Sequence, residues 1–217
     1  MLQSLFTNPK SFLMGLLLSV PGLIIALSFH EFAHGYAAYK MGDNTAKYSG
    51  RLSLNPLDHL DPIGTICLFL CGFGWAKPVP INPYNFKNHR LGVVIVSLAG
   101  PLMNFVIALV SAFIYFGIVT FAPINMFVTF IANIMYFCMY LNIGLMCFNL
   151  IPIPPLDGSK VLLEFLPYRC RQTFYRLERH ASFILMILLI TDVLNPVLGT
   201  MRNFVETIIY FIVGLIF

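Results

Sequence analysis

The chain has 217 residues, 59% of them hydrophobic and only 10% charged, with a mean hydropathy of +0.83. A soluble domain of that size needs far more polar surface, which leaves an integral membrane protein. The net charge of +4 does not call for nucleic acid, because the 13 Lys and Arg residues gather in loops between apolar runs, as topology sorting requires.

In chain order, the first apolar run is Phe12 to Tyr39, enough for about 42 Å of helix and a crossing with length to spare. It is too long for a signal-peptide core and contains His30-Glu31-Phe32-Ala33-His34, so it is not a discarded leader. Pro21-Gly22 can bend it. A polar stretch follows, Lys40 to Asp61, in which the loose alternation of Thr45 to Leu54 predicts a strand or hairpin. Pro62 to Gly74 is apolar but only about 13 residues, short for a span and suited to a re-entrant piece. Ala76 to Pro83 carries three prolines and is predicted to be extended.

Leu91 to Phe121 is apolar, with an interruption at Gly100-Pro101. A helix starting at Pro101 loses nothing by the missing N–H and is long enough to span by Phe121. Ala122 to Asn125 leaves room only for a tight turn into an antiparallel span, Met126 to about Leu150. Pro152, Pro154 and Pro155 force an extended segment. A short helix over Gly158 to Leu166 and a basic loop over Arg169 to Arg179 come next. Ala181 to Leu198 and Phe204 to Phe217 close the chain as one or two membrane segments. Of the five cysteines (67, 71, 138, 147 and 170), four lie in apolar stretches and read as small buried hydrophobes. Cys67 and Cys71 share helical spacing, but no second pair follows to complete a zinc site.

The expected fold is an all-α polytopic membrane protein with four to six membrane segments, a re-entrant piece and a short β-hairpin near the active site. It forms a single membrane-embedded domain over 1–217, with a core at about 12–166 and C-terminal membrane segments at 181–217. Lys40, Lys47, Arg51, Lys77, Lys87 and Arg90 precede the second long run, and Lys160, Arg169, Arg171, Arg176 and Arg179 follow the third. The 122–125 turn has no basic residue. Both basic stretches therefore belong in the cytoplasm, provided that 62–74 dips in and returns.

His30 and His34 stack on one helix face at i and i+4, with Glu31 free to reach whatever they hold. That suits zinc, which takes two imidazoles and a third ligand and keeps a position for water. Ionisable groups are costly in hydrocarbon, so such a set within an apolar run marks a functional site. An accidental His-Glu-x-x-His in a chain of this composition is expected on the order of 10⁻³ times. Asp157 is the best third ligand: it follows a proline-stiffened segment just after a span, on the same side as Lys40. Glu164, Glu178 and Glu206 would serve a different membrane zinc protease, but none sits in so specific a motif. The rival of another class is a membrane zinc-binding or transport protein without hydrolase activity, although Leu91 to Leu150 offers no acidic residue or histidine. Asp58-His59-x-Asp61 reads as a turn organising the mouth of the site, or alternatively as support for a zinc histidine. His89 and His180 read as solvated loop residues, and Trp75 with Lys77 as an interface anchor.

His30-Glu31-Phe32-Ala33-His34-Gly35, Gly100-Pro101-Leu102-Met103-Asn104 and Asn149-x-x-Pro152-x-Pro154-Pro155-Leu156-Asp157-Gly158 together resemble the site-2 protease family of intramembrane zinc metalloproteases. Gly50-Arg51-Leu52-Ser53-Leu54-Asn55-Pro56 and Gly74-Trp75-Ala76-Lys77-Pro78-Val79-Pro80 are similar to its small bacterial branch, with no PDZ or CBS module expected. The resemblance covers roughly residues 15–166. It implies one Zn²⁺ per chain held by His30, His34 and Asp157, with Glu31 as catalytic base. It also implies cleavage of transmembrane proteins or peptides in or near their membrane segments. The location implied is a bacterial cell membrane, with the active site toward the cytoplasm and no nucleic-acid partner.

Glu31 would take a proton from the attacking water and pass it to the leaving amine. Asn149 and Asn104 are the candidate donors to the oxyanion, and the family likeness favours Asn149. A strand edge near Thr45 to Leu54 or Val79 to Asn82 is expected to hold the unwound substrate by strand addition.

Overall fold

The computed structural model describes residues 9–64 and 76–217. The first run forms α1 (Pro9–Met41), a helix of 33 residues that continues through Pro21. It is followed by two single helical turns, α2 (Thr45–Tyr48) and α3 (Pro56–His59), the second capped by Asn55 through the Leu57 N–H. The expected strand or hairpin over 45–54 is therefore corrected at its start, and among the described residues no strand forms beyond a single antiparallel bridge between Leu60 and Ala76. At the turn before α2, the Asp43 carboxylate accepts from both the N–H and the hydroxyl of Thr45 and bends the chain out of an extended path, one residue ahead of the Asn44 N-cap. Ala46 is then fully buried, which loose alternation could not reveal.

Beyond an extended segment and a 3-10 turn at Pro83–Asn85, α4 spans His89–Phe121 without a break. The expected start at Pro101 is also corrected: Asn88 caps the helix twelve residues earlier by accepting from the Leu91 N–H. Pro101 lies buried inside the helix, where flanking helices make one lost N–H tolerable. Asn125 caps α5 (Met126–Asn149) in the same way, through the Val128 N–H. A short α6 (Asp157–Phe165) follows, and residues 169–179, expected as a basic loop, belong almost wholly to α7 (Tyr168–Glu178). The chain ends in α8 (Ala181–Ile190) and α9 (Asn195–Val213), which meet at 84° across a short break holding Asp192 at φ 56°.

Among the described residues, three helices are long and apolar enough to cross a bilayer: Leu13–Met41, His89–Phe121 and Met126–Asn149. A fourth span arises only if the bent α8–α9 pair is one, so the three found among the described residues fall short of the expected four to six. α1, α4 and α5 pack against one another, and α9 lies against α4 and α5 over a core of Ala108, Ala112, Met139, Ile143 and Ile209. The end of α1 packs on the start of α4 through Ala38, Phe86 and Val96, and Lys87 N–H donates to Met41 O at 3.1 Å. The chain thus leaves α1 and enters α4 side by side. Most of the expected re-entrant piece, 62–74, lies outside the described residues, as do Cys67, Cys71 and Trp75. Cys138 and Cys147 are buried and Cys170 is exposed, in line with their hydropathic settings.

Candidate zinc centre

Three elements converge seven residues inside the ends of α1 and α4. Helical spacing stacks His30 and His34 on one face of α1, their Nε2 atoms 3.0 Å apart. Asp157, at the first turn of α6, brings Oδ2 to 3.2 Å from His30 Nε2 and 3.0 Å from His34 Nε2. All three residues are buried and form a group able to hold a metal ion. Gly158 makes this approach possible, since a Cβ there would lie 2.2 Å from the Leu150 carbonyl oxygen. Gly100 does the same on α4: a Cβ would stand 2.4 Å from His34 Nε2 and 2.7 Å from His30 Nε2. The backbone of α4 therefore leaves open a space that any other side chain would fill.

The protonation of the set follows from its partners. His34 Nδ1 lies 2.7 Å from Val96 O, which can only accept, so this nitrogen carries the hydrogen. Asn104 Nδ2 donates to Ala26 O, which fixes the amide and turns Oδ1 toward His30 Nδ1 at 2.6 Å. With the hydrogen on Nδ1, the neutral form of each imidazole directs an Nε2 lone pair at the other and at a carboxylate oxygen. Three lone-pair atoms about 3 Å apart with no proton between them repel, unless a cation sits among them. Bonds of about 2.0 Å in a tetrahedral arrangement place ligand atoms roughly 3.3 Å apart, close to the separations seen. The donor set fits zinc.

Asp157 Oδ1 is occupied by Lys160 Nζ at 2.9 Å, leaving Oδ2 for the imidazoles. Glu31 is half-buried, with Oε2 accepting from the Val79 N–H at 3.0 Å. It faces a cavity of about 390 Å³ whose lining includes His30, His34, Asp157, Asn149, Val79 and Lys160. Pro78 and Val79 line the cavity, so part of its wall is the Pro78-Val79-Pro80 strap. Arg51 holds it through the carbonyls of Lys77 and Pro78, and Val79 rests close to Gly35.

Against this geometry, comparison with known proteins is decisive. The chain is 40% identical over 186 residues to YwhC of Bacillus subtilis, provisionally named a zinc metalloprotease, covering 83% of this chain and 84% of that one. The chain belongs to peptidase family M50, the site-2 proteases. The family profile itself matches residues 116–191. Rip2 of Mycolicibacterium smegmatis, also provisionally a zinc metalloprotease by name, is 28% identical over 209 residues, 94% of this chain and 76% of its own. Rip2 of Mycobacterium tuberculosis is 28% identical over 182 residues, 81% of this chain and 68% of its own. No solved structure matches. The protein is thus a zinc metalloprotease of the site-2 type, and its apolar helices make it a membrane protein.

Within this site-2 protease, His30, Glu31, His34, Asp157 and Asn149 all border one cavity. Asn104 stands behind His30 and is wholly buried. Its amide hydrogens go to Ala26 O and Asn142 Oδ1, leaving none for an oxyanion. Asn149 Nδ2 donates to Leu145 O at 3.1 Å and keeps a second hydrogen. Two supporting groups escaped the sequence reading. Asn142 continues the chain from Asn104 to Cys138 O, and its spacing of seven from Asn149, on the same face of α5, was the available signal. Lys160, three residues after Asp157 on a short helix, was another. His59 is fully buried and its Nε2 meets Ser53 O at 2.7 Å, so it braces the 53–59 turn. His89 opens α4 beside Glu164, 4.0 Å away, whereas His180 is exposed.

Proposed function

We propose that this enzyme cleaves peptide bonds in or near the transmembrane segments of other membrane proteins, from a site open to the cytoplasm. The observation that carries the reading is the meeting of the His30–His34–Asp157 lone pairs, inside a bundle of apolar helices, beside a cavity that Glu31 shares. His30, His34 and Asp157 would hold one Zn²⁺. Bound there, zinc lowers the pKa of water to about 7 and polarises the scissile carbonyl.

The rest of the chemistry belongs to the chain. Glu31 accepts the proton of the attacking water, held in place by the Val79 N–H, and delivers it to the leaving amine. Asn149, with one amide hydrogen uncommitted, is the donor to the developing oxyanion. Asn104 we assign to orienting His30 rather than to the oxyanion. The unwound substrate lies along the strap wall of the cavity. Strand addition at 79–82 has few donors to offer, since Pro80 has none and the Val79 and Asn82 N–H groups go to Glu31 and Asp43. Carbonyl groups of the strap are then the main acceptors for a substrate backbone.

The basic residues at 40–90 and 160–179 support a cytoplasmic site, by the positive-inside rule. The test is reconstitution with a membrane protein substrate and mass analysis of the fragments. Cuts inside or within a few residues of a span are expected from the intact enzyme and from none carrying Glu31→Gln. Cuts confined to soluble loops would sink the intramembrane reading while leaving the protease standing.

A further inference from the structure

α7 takes no part in the zinc centre and buries none of its residues. One face of the helix, continued to His180, carries Arg169, Thr173 and Arg176, with Cys170, Phe174 and Leu177 beside them. These seven residues line an open concavity of about 590 Å³. Its lining is mostly apolar, with Phe174 and Leu177 set beside the cationic Arg169 and Arg176. Among the described residues, Arg169, Arg176 and Arg179 have no ion-pair partner. Arg171, on the other side of the helix, is tied back to α6 through Leu166 O at 3.1 Å and Glu164 O at 3.2 Å.

The level of α7 relative to the bundle is set by the same ties. The end of α6 meets the start of α4: Glu164 lies 4.0 Å from His89, and Arg90 stacks over Phe165 at 4.9 Å. That end of α4, with Lys87 just before it, is where a span meets water. On the far side of α7 the composition changes at a single peptide bond, from Arg179-His180 to α8, whose ten residues are apolar except for Ser182. A helix fixed at the polar end of one span and opening directly into an apolar helix lies at the headgroup layer. Exposed Tyr168 and Tyr175 suit that layer too.

From these features we infer that α7 is an interfacial helix whose concave face binds anionic phospholipid headgroups of the leaflet nearest the zinc centre. The phosphate sits against Arg169 and Arg176, and Phe174 and Leu177 lie along the first acyl carbons. Phospholipid, rather than an acidic protein segment, is the occupant favoured by an apolar lining beside the cations. The inference rests on the multi-span reading of the chain.

The full-length zinc-bound protein in detergent, offered phosphatidylglycerol or phosphatidylcholine of the same chains, tests it by native mass spectrometry. Each arginine near a headgroup contributes about fivefold in affinity, so the pair gives roughly 25-fold preference for phosphatidylglycerol. The double variant Arg169→Gln/Arg176→Gln should lose that preference, while Arg169→Lys/Arg176→Lys retains most of it. Equal retention of both lipids by the wild-type chain, or an unchanged preference in the glutamine variant, overturns the proposal. Retention of neither lipid overturns the proposal and leaves the multi-span reading standing. Should the glutamine variant lose its zinc, the wild-type preference at about 0.5 M salt, where charges are screened within about 4 Å, decides instead. A preference that salt does not reduce also overturns it.

Discussion

Asn104 shows how much of the zinc centre lies behind its ligands. It fixes the hydrogen of His30 on Nδ1 and is itself fixed by Ala26 O and Asn142. Truncation to Ala is expected to weaken zinc binding by about 10- to 100-fold, measured by chelator competition. Asn104→Asp keeps an acceptor for His30 but removes the donor to Asn142, so its affinity should fall between the two. Gly100→Ala is a harsher change, because its methyl would occupy the space beside both Nε2 atoms. Zinc content should drop below stoichiometric, with cleavage lost in proportion. Glu31→Gln is the opposite: full zinc content and a rate lower by about 10² to 10⁴. The His-Glu-His set and Asp157 were legible because their residue types are rare in apolar sequence. The Val96 carbonyl was not, since which backbone group faces His34 depends on the rotation of α4, and hydropathy carries no record of it.

At the level of elements, the sequence placed the three long helices well, because length and apolarity alone define a span. It misjudged what short polar groups do to the backbone. Asp43 bends the chain out of the expected strand at Thr45, and Asn88 carried α4 back through Gly100-Pro101 to His89. Asp43 also accepts from the Asn82 N–H and Asn85 Nδ2, both at 2.7 Å, and so pins the strap's downstream end to the end of α1. Burial opposes ionisation of Asp43, yet bonds from Thr45, Asn82 and Asn85 prevail and lower its pKa below the ordinary carboxylate value. A lowered folded pKa means stabilisation that is complete above the unfolded value of about 3.9 and is lost as pH falls through the folded one. Asp43→Asn should therefore cost on the order of 2 kcal/mol at neutral pH, as loss of hydrogen bonds to a charged group does. The gap to wild type should close on acidification below about pH 4, read as the difference between thermal unfolding midpoints.

For the whole molecule, where the helices end sets how far the site lies from one end of the bundle. His34 lies seven residues before Met41 and Val96 seven after His89, so the centre sits roughly 10 Å along the helices from one face of the bundle. Asn149 closes α5 at the same face, while the α4–α5 turn, with Ile124 95% exposed, lies at the other. If the basic stretches face the cytoplasm, that turn faces outward. Cysteine labelling in intact cells checks the arrangement. With the other cysteines replaced by Ser, a lone cysteine from Ile124→Cys should react with a membrane-impermeant maleimide added outside. The native Cys170, exposed on α7, should react only after the membrane is opened. Each chain must first be shown to retain zinc, so that silence at Cys170 reflects sidedness and not misfolding. The reverse pattern would put the zinc centre near the outer surface. The positive-inside assignment would then fail, while the helix bundle and its zinc ligands would stand.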